Sequence, residues 1–204
     1  ETWTSNHPDH IEWINSFAER KGDPVPPATA DDLWDLYSLS RVNQILLSGV
    51  IQQIVGSSEP PVQSTKQCRA SEISITLDEY IQFFSALGLS VVKDTTFTPF
   101  LHEIFEVEQS EEELKLIELI GTYWPPLMLG PMVFSRGGGY VAGGRSVIQK
   151  EIAEKSCLYW EYHRPHRACS DLSHGWGSNS QWRTSFRRDY LIDSQAFLNV
   201  DQFG

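Results

Sequence analysis

Apolar residues recur at helical spacing through the first half of the chain and in short alternating or clustered runs through the second. Ile11, Ile14 and Phe17 share one helical face, with Pro8 at a first-turn position and Lys21-Gly22 as the stop. Asp23-Pro-Val-Pro-Pro27 then excludes both helix and sheet interior, because proline lacks the amide donor and fixes φ. Thr29-x-x-Asp32 resembles a capping start for a long helix whose apolar face comprises Leu33, Leu36, Tyr37, Val42, Ile45, Leu46, Val50 and Ile54. Ser38 and Ser40 are the places where that helix would break, since their hydroxyls compete for backbone hydrogen bonds. Residues 56–71 are rich in Gly, Ser and Pro and predict a loop. Thr76-Leu-Asp-Glu79 is a capping box, opening a helix through Tyr80, Phe83, Phe84 and Leu87 that ends at Gly88.

Beyond that helix, 89–92 and 100–108 predict extended chain, and 110–120 predicts a helix opened by Glu111, Glu112 and Glu113. After Trp124-Pro-Pro126 the pattern predicts strands at 132–135, 140–142, 146–152, 157–164 and 181–190. The glycine clusters 137–139 and 143–144 predict turns or bulges between them. Helices first and strands later give an α+β fold: a helical N-terminal part packed on a C-terminal antiparallel β-sheet. The expected organisation is a single domain over 1–204, helix-rich in 1–121 and strand-rich in 122–204, without internal repeats.

Composition narrows the class. With 204 residues, 40% hydrophobic and 12% aromatic, the chain has the means to bury a core. Its longest apolar runs, such as Ile45-Leu46-Leu47, are too short for a bilayer span, so no membrane association is expected. Cys68, Cys157 and Cys169 are odd in number and show neither CxxC nor zinc spacing, and no Asn-x-Ser/Thr sequon occurs. Free thiols and a cytoplasmic location are the expectation. The chain starts on Glu1, which leaves a removed signal peptide open.

Charge changes the list of partners. The net charge is −11, and residues 1–135 hold 20 acidic against seven basic side chains, whereas 136–204 hold seven against nine. Repulsion from the whole molecule disfavours nucleic acid. A local positive pocket for a small anion, or a contact with a protein, survives that argument.

The stretch richest in candidate chemistry is 173–190, SHGWGSNSQWRTSFRRDY. Glycines flanking Trp176 let the backbone approach a ligand and the ring stack, Asn179 supplies amide donors and acceptors, and His174 titrates near neutrality. If 181–190 is a strand, Arg183 and Arg187 share a face roughly 13 Å apart, a span that brackets a large anion or an acidic protein surface. Trp182 and Phe186 lie on the opposite face, toward the core. No metal or cofactor is expected. Pro165 interrupts the spacing of Glu161, His163 and His166, and Arg136-Gly-Gly-Gly139 lacks the phosphate-loop pattern. His102-Glu103 with Glu106 and Glu108 is not HExxH and reads as a charged strand edge.

These features point first to a binding protein that recognises a small anionic ligand or a protein partner through Trp176, Asn179, Arg183 and Arg187. A toxin-neutralising, immunity-type protein is one form of that reading, its acidic surface steering a basic partner inward. The alternative is an enzyme acting on a small anionic substrate, with His174 as general acid or base.

Overall fold

A computed structural model describes residues 8–9, 12, 15–16, 30–56, 73–93, 96–154, 189–192 and 194–198. Residues 8–9, 12 and 15–16 are helical, as the Pro8 start predicts. Helix α1 (Ala30–Val55) runs 26 residues without interruption. Ser40 does not break it: its hydroxyl donates to the Tyr37 carbonyl 2.6 Å away, one turn back, and the ladder continues. The inward face comprises Leu36, Ser40, Asn43, Leu47, Val50 and Ile51, spaced by three and four residues. Val42, expected on that face, is 40% exposed, and the neighbouring Asn43 turns inward because its Oδ1 accepts from the buried Tyr80 hydroxyl at 2.7 Å.

Helix α2 (Leu77–Ala86) starts with the predicted capping box. Thr76 accepts from the Glu79 amide through its hydroxyl, and the Glu79 carboxylate accepts from the Thr76 amide at 2.9 Å. That backbone donor, followed by the Thr76 hydroxyl, holds the Glu79 carboxyl below its usual range. Gly88, with φ 89°, ends the helix as the sequence implied.

Eight strands follow among the described residues: β1 (Ser90–Val91), β2 (His102–Ser110), β3 (Glu118–Trp124), β4 (Leu127–Leu129), β5 (Met132–Ser135), β6 (Gly137–Gly144), β7 (Asp189–Ile192) and β8 (Gln195–Phe197). A short helix, α3 (Lys150–Ala153), lies between β6 and β7. The strands form two sheets, a five-stranded antiparallel one ordered β1-β4-β5-β7-β8 and a three-stranded one ordered β2-β6-β3. In the smaller sheet β2 runs parallel to β6 and β3 antiparallel to it, so that sheet is mixed. The fold is therefore α+β, with helices N-terminal and strands C-terminal. The largest core joins Leu36, Leu47 and Ile51 of α1, Tyr80 and Phe84 of α2, and Trp124, Leu127, Met132, Phe134 and Tyr190 of the strands. No helix among the described residues is long and apolar enough to cross a membrane.

Three expectations need correction. Residues 110–120 do not form a helix, because their backbone groups are engaged by β6 and the turn after it. Lys115 accepts from the Gly144 amide at 2.9 Å, and Glu113 accepts from the Ser146 amide at 3.0 Å. Residues 146–152 are not a strand, because the Gly144 carbonyl accepts from both the Val147 and Ile148 amides and turns the chain toward α3. The two glycine clusters are not turns but the body of β6. A Cβ on Gly138 would lie 2.5 Å from the Trp124 ring, so that glycine makes room for the indole. The strand expected at 157–164, and all of 181–190 before Asp189, lie outside the described residues.

A Cβ on Gly144 would meet the Glu113 carbonyl oxygen at 2.1 Å and that of Glu112 at 2.4 Å, both backbone atoms that cannot swing away. Gly144→Ala is expected to destabilise the protein by about 2 kcal/mol. Gly139→Ala, whose nearest neighbour is the flexible Leu119 side chain at 3.3 Å, should cost much less. Urea denaturation midpoints check the pair; equal losses would show that the loop does not limit position 144.

Candidate functional site

The three-stranded sheet presents two chemically opposite faces. Register fixes which residues share them, since side chains at paired positions project to the same side. Val107, Val141 and Leu119 turn toward Ile148 and Ala153, forming a small apolar core under α3. On the other face Glu106, Tyr140 and Gly121 form one row across β2, β6 and β3, and Glu108, Ala142 and Glu118 form the next.

Bulges set the details of this face. The register slips between Ile104 and Glu106 on β2 and between Thr122 and Trp124 on β3. The extra residues are Phe105 and Tyr123, whose rings pack 4.5 Å apart between centroids. Phe105 also meets Trp124 edge-on at 5.2 Å, which anchors the exposed end of the face to the main core. From there polarity rises outward. Tyr123 donates its hydroxyl to Glu106, and Tyr140 donates to Glu108. The two tyrosine rings lie 6.5 Å apart at 49°.

The hydrogen bond to Glu106, helped by desolvation and by the charges of Glu106 and Tyr140, pushes the Tyr123 phenol up to about 12. Tyr140 is raised as well, first by its hydrogen bond to Glu108. Both phenols are therefore neutral donors at physiological pH. One carboxylate oxygen of each glutamate accepts from a tyrosine hydroxyl, and a carboxylate has acceptor sites to spare for a second donor.

Negative charge is concentrated around this face. Between His102 and Glu118 the chain carries seven glutamates and a single lysine, Lys115, which pairs with Glu118 at 3.1 Å. Not all of the predicted charged edge is solvated: His102 and Glu103 are buried, at 1% and 3% exposure. His102 stacks on Phe97 and approaches the backbone of Thr98 through Nδ1. Of the group Glu108 is exposed, and Glu106 is half-buried.

A second polar feature lies at the seam of the two sheets. Arg136, between β5 and β6, donates through Nη2 to the Asp189 carboxylate on β7 at 2.7 Å, and both side chains are nearly fully buried. Arg136 Nε also donates to the Pro99 carbonyl at 3.3 Å, and its own carbonyl accepts from the Trp124 indole at 2.9 Å. Sequence reasoning missed this pair. The signal was present as one arginine inside the otherwise apolar and glycine-rich MVFSRGGGY run.

The residues singled out from the sequence, His174, Trp176, Asn179, Arg183 and Arg187, all lie outside the described residues, as does the Glu161-His163-His166 group. The structure neither gathers nor separates them. The tyrosine–glutamate face was not anticipated; Glu106 and Glu108 alternate on one strand, but Tyr123 and Tyr140 lie 17 and 32 residues from their partners. Comparison with known families, curated proteins and solved structures finds no match.

Two predictions follow from this geometry. Asp189→Ala strands the Arg136 charge and should cost about 3 kcal/mol or more, whereas adding Arg136→Met should restore much of the loss. Chemical denaturation of both variants decides; a double variant no better than the single would show that the pair is not the main contribution. In ultraviolet titration Tyr123 should ionise near 12, falling toward 10 in Glu106→Gln. A phenol raised by folding stabilises the native state below its unfolded value and loses that contribution as pH rises through the folded one, so this part of stability disappears between about pH 10 and 12.

Proposed function

We propose that this chain is a non-catalytic binding protein whose partner is a protein with a basic surface. One observation carries the reading: Tyr123 and Tyr140 stand side by side on a sheet face, each tied to a glutamate of the acidic stretch between His102 and Glu118. Tyrosine presents a large, rigid contact surface at low entropic cost, and it is enriched where proteins meet. The carboxylates supply complementarity to lysine and arginine, while the net charge of −11 accelerates encounter with a cationic partner.

An immunity-type protein that neutralises a basic toxin is one biological form of this reading. The small-anion alternative rested on Arg183 and Arg187, and the enzymatic alternative on His174. Nothing among the described residues adds to either.

The test uses two variants of equal charge, Glu106→Gln/Glu108→Gln on the face and Glu111→Gln/Glu112→Gln on the neighbouring loop, titrated calorimetrically with hexa-arginine and hexa-glutamate peptides. The intact protein should bind the cationic peptide and ignore the anionic one, more weakly as salt rises. The face variant should lose about tenfold in affinity, about 1.4 kcal/mol, and the loop variant distinctly less. Equal losses would reduce the effect to net charge and remove the face from the explanation.

A further inference from the structure

Position 121 on β3 holds a glycine that neither backbone nor packing requires. Its φ is not among the positive values, which occur at Gly56, Gly88 and Gly130 among the described glycines. A Cβ built there meets no atom of the described residues within 4 Å. The contrast with β6 is sharp: at Gly137, Gly138 and Gly144 a Cβ would collide at 2.1 to 2.6 Å. A strand-interior glycine weakens a sheet and marks a bulge or a place where something approaches the backbone; Gly121 follows the bulge at Ile120, and the space over it is open.

Gly121 lies in the row of Tyr140 and Glu106, beside the row of Glu108 and Glu118. Tyr140 directs its hydroxyl to Glu108 on β2, the strand on the far side of β6 from Gly121. Tyr123 likewise reaches across β6 to Glu106. Both phenols are drawn away from β3, so the absent side chain at 121 leaves a notch beside the Tyr140 ring. Ile120, the extra residue of the bulge preceding Gly121, is 47% exposed and adjoins it. The Lys115–Glu118 pair at its margin is solvent-exposed, and exposed pairs of this kind hold each other weakly enough to be exchanged.

We propose that the notch over Gly121 receives an arginine side chain of the basic partner. The proposal rests on the binding function above and specifies what its face recognises. A guanidinium is planar: it stacks on a tyrosine ring while its edge donates in parallel to carboxylates, here Glu118 and Glu108. A lysine ammonium has no flat surface to lay over a glycine floor and holds its hydration more tightly. Arginine is thus the occupant that uses ring, floor and carboxylates together.

The experiment compares the intact protein with Gly121→Ala, Gly121→Leu and Glu106→Gln/Glu108→Gln, recording Tm and the affinity for hexa-arginine and hexa-lysine peptides. Because the position is open, Gly121→Ala should leave Tm unchanged or raise it, by removing a flexible residue from a strand. Gly121→Leu should weaken hexa-arginine by about tenfold, Gly121→Ala by less, and neither should alter hexa-lysine appreciably. If Gly121→Leu binds hexa-arginine like the intact protein while the glutamate variant does not, the notch is wrong and the basic-partner reading stands. If the intact protein binds neither peptide, the reading itself falls and the notch with it. An equal loss of lysine and arginine peptides in Gly121→Leu overturns the choice of arginine. A drop of several degrees in Tm for Gly121→Ala overturns the openness of the position.

Discussion

The close approach of neighbouring chain to β6 is the constraint on which the rest of this structure depends. Five of its eight residues are glycine, and four of them face atoms that a methyl group would strike. Gly138 lets the Trp124 indole lie against the strand, and Trp124 in turn binds the Arg136 carbonyl and meets Phe105 edge-on. Gly144 lets the loop after β2 fold down onto the strand's end, which fixes where β3 begins. Larger residues would push both neighbours outward and separate the small sheet from the main core. The placing of the small sheet against the main core therefore depends on residues that have no side chains.

Much of the helical half was legible because its signals are local. The Thr76–Glu79 box, the stop at Gly88 and the long apolar repeat of α1 each depend on neighbours within a few positions. The errors arose where distant partners decided. Glu111 to Glu113 carry every local mark of a helix start, but Gly144 and Ser146 claim the carbonyls of Lys115 and Glu113. The glycines of β6 have the composition of turns, and distant neighbours explain why they sit in a strand: the Trp124 indole at Gly138 and the Glu113 carbonyl at Gly144. Val42 and Asn43 exchanged places because Tyr80, 37 residues beyond Asn43, needed a hydrogen-bond acceptor.

The site was legible to a smaller degree. Segment 173–190 drew attention through concentrated Trp and Arg, and all of it before Asp189 lies outside the described residues. The tyrosine–glutamate face has no such density: its members are spread over 106–140 and meet only through the β2-β6-β3 order. A parallel neighbour, which needs a long crossover, is the arrangement least recoverable from alternation alone. The buried Arg136–Asp189 pair, 53 residues apart, belongs to the same category.

The outer margin of β2 has a consequence of its own. At Val107 both backbone groups point away from β6, and both are taken: the amide donates to Glu154 at 3.0 Å and the carbonyl accepts from Lys150 at 2.6 Å. Lys150 and Glu154 also bridge each other, so one turn of α3 stands in for the hydrogen bonds of a missing strand. A foreign strand arriving there would find its docking groups occupied and would have to expel a paired charge to form its first bond. At this point of its outer margin β2 therefore offers an incoming strand no unclaimed pair of backbone groups.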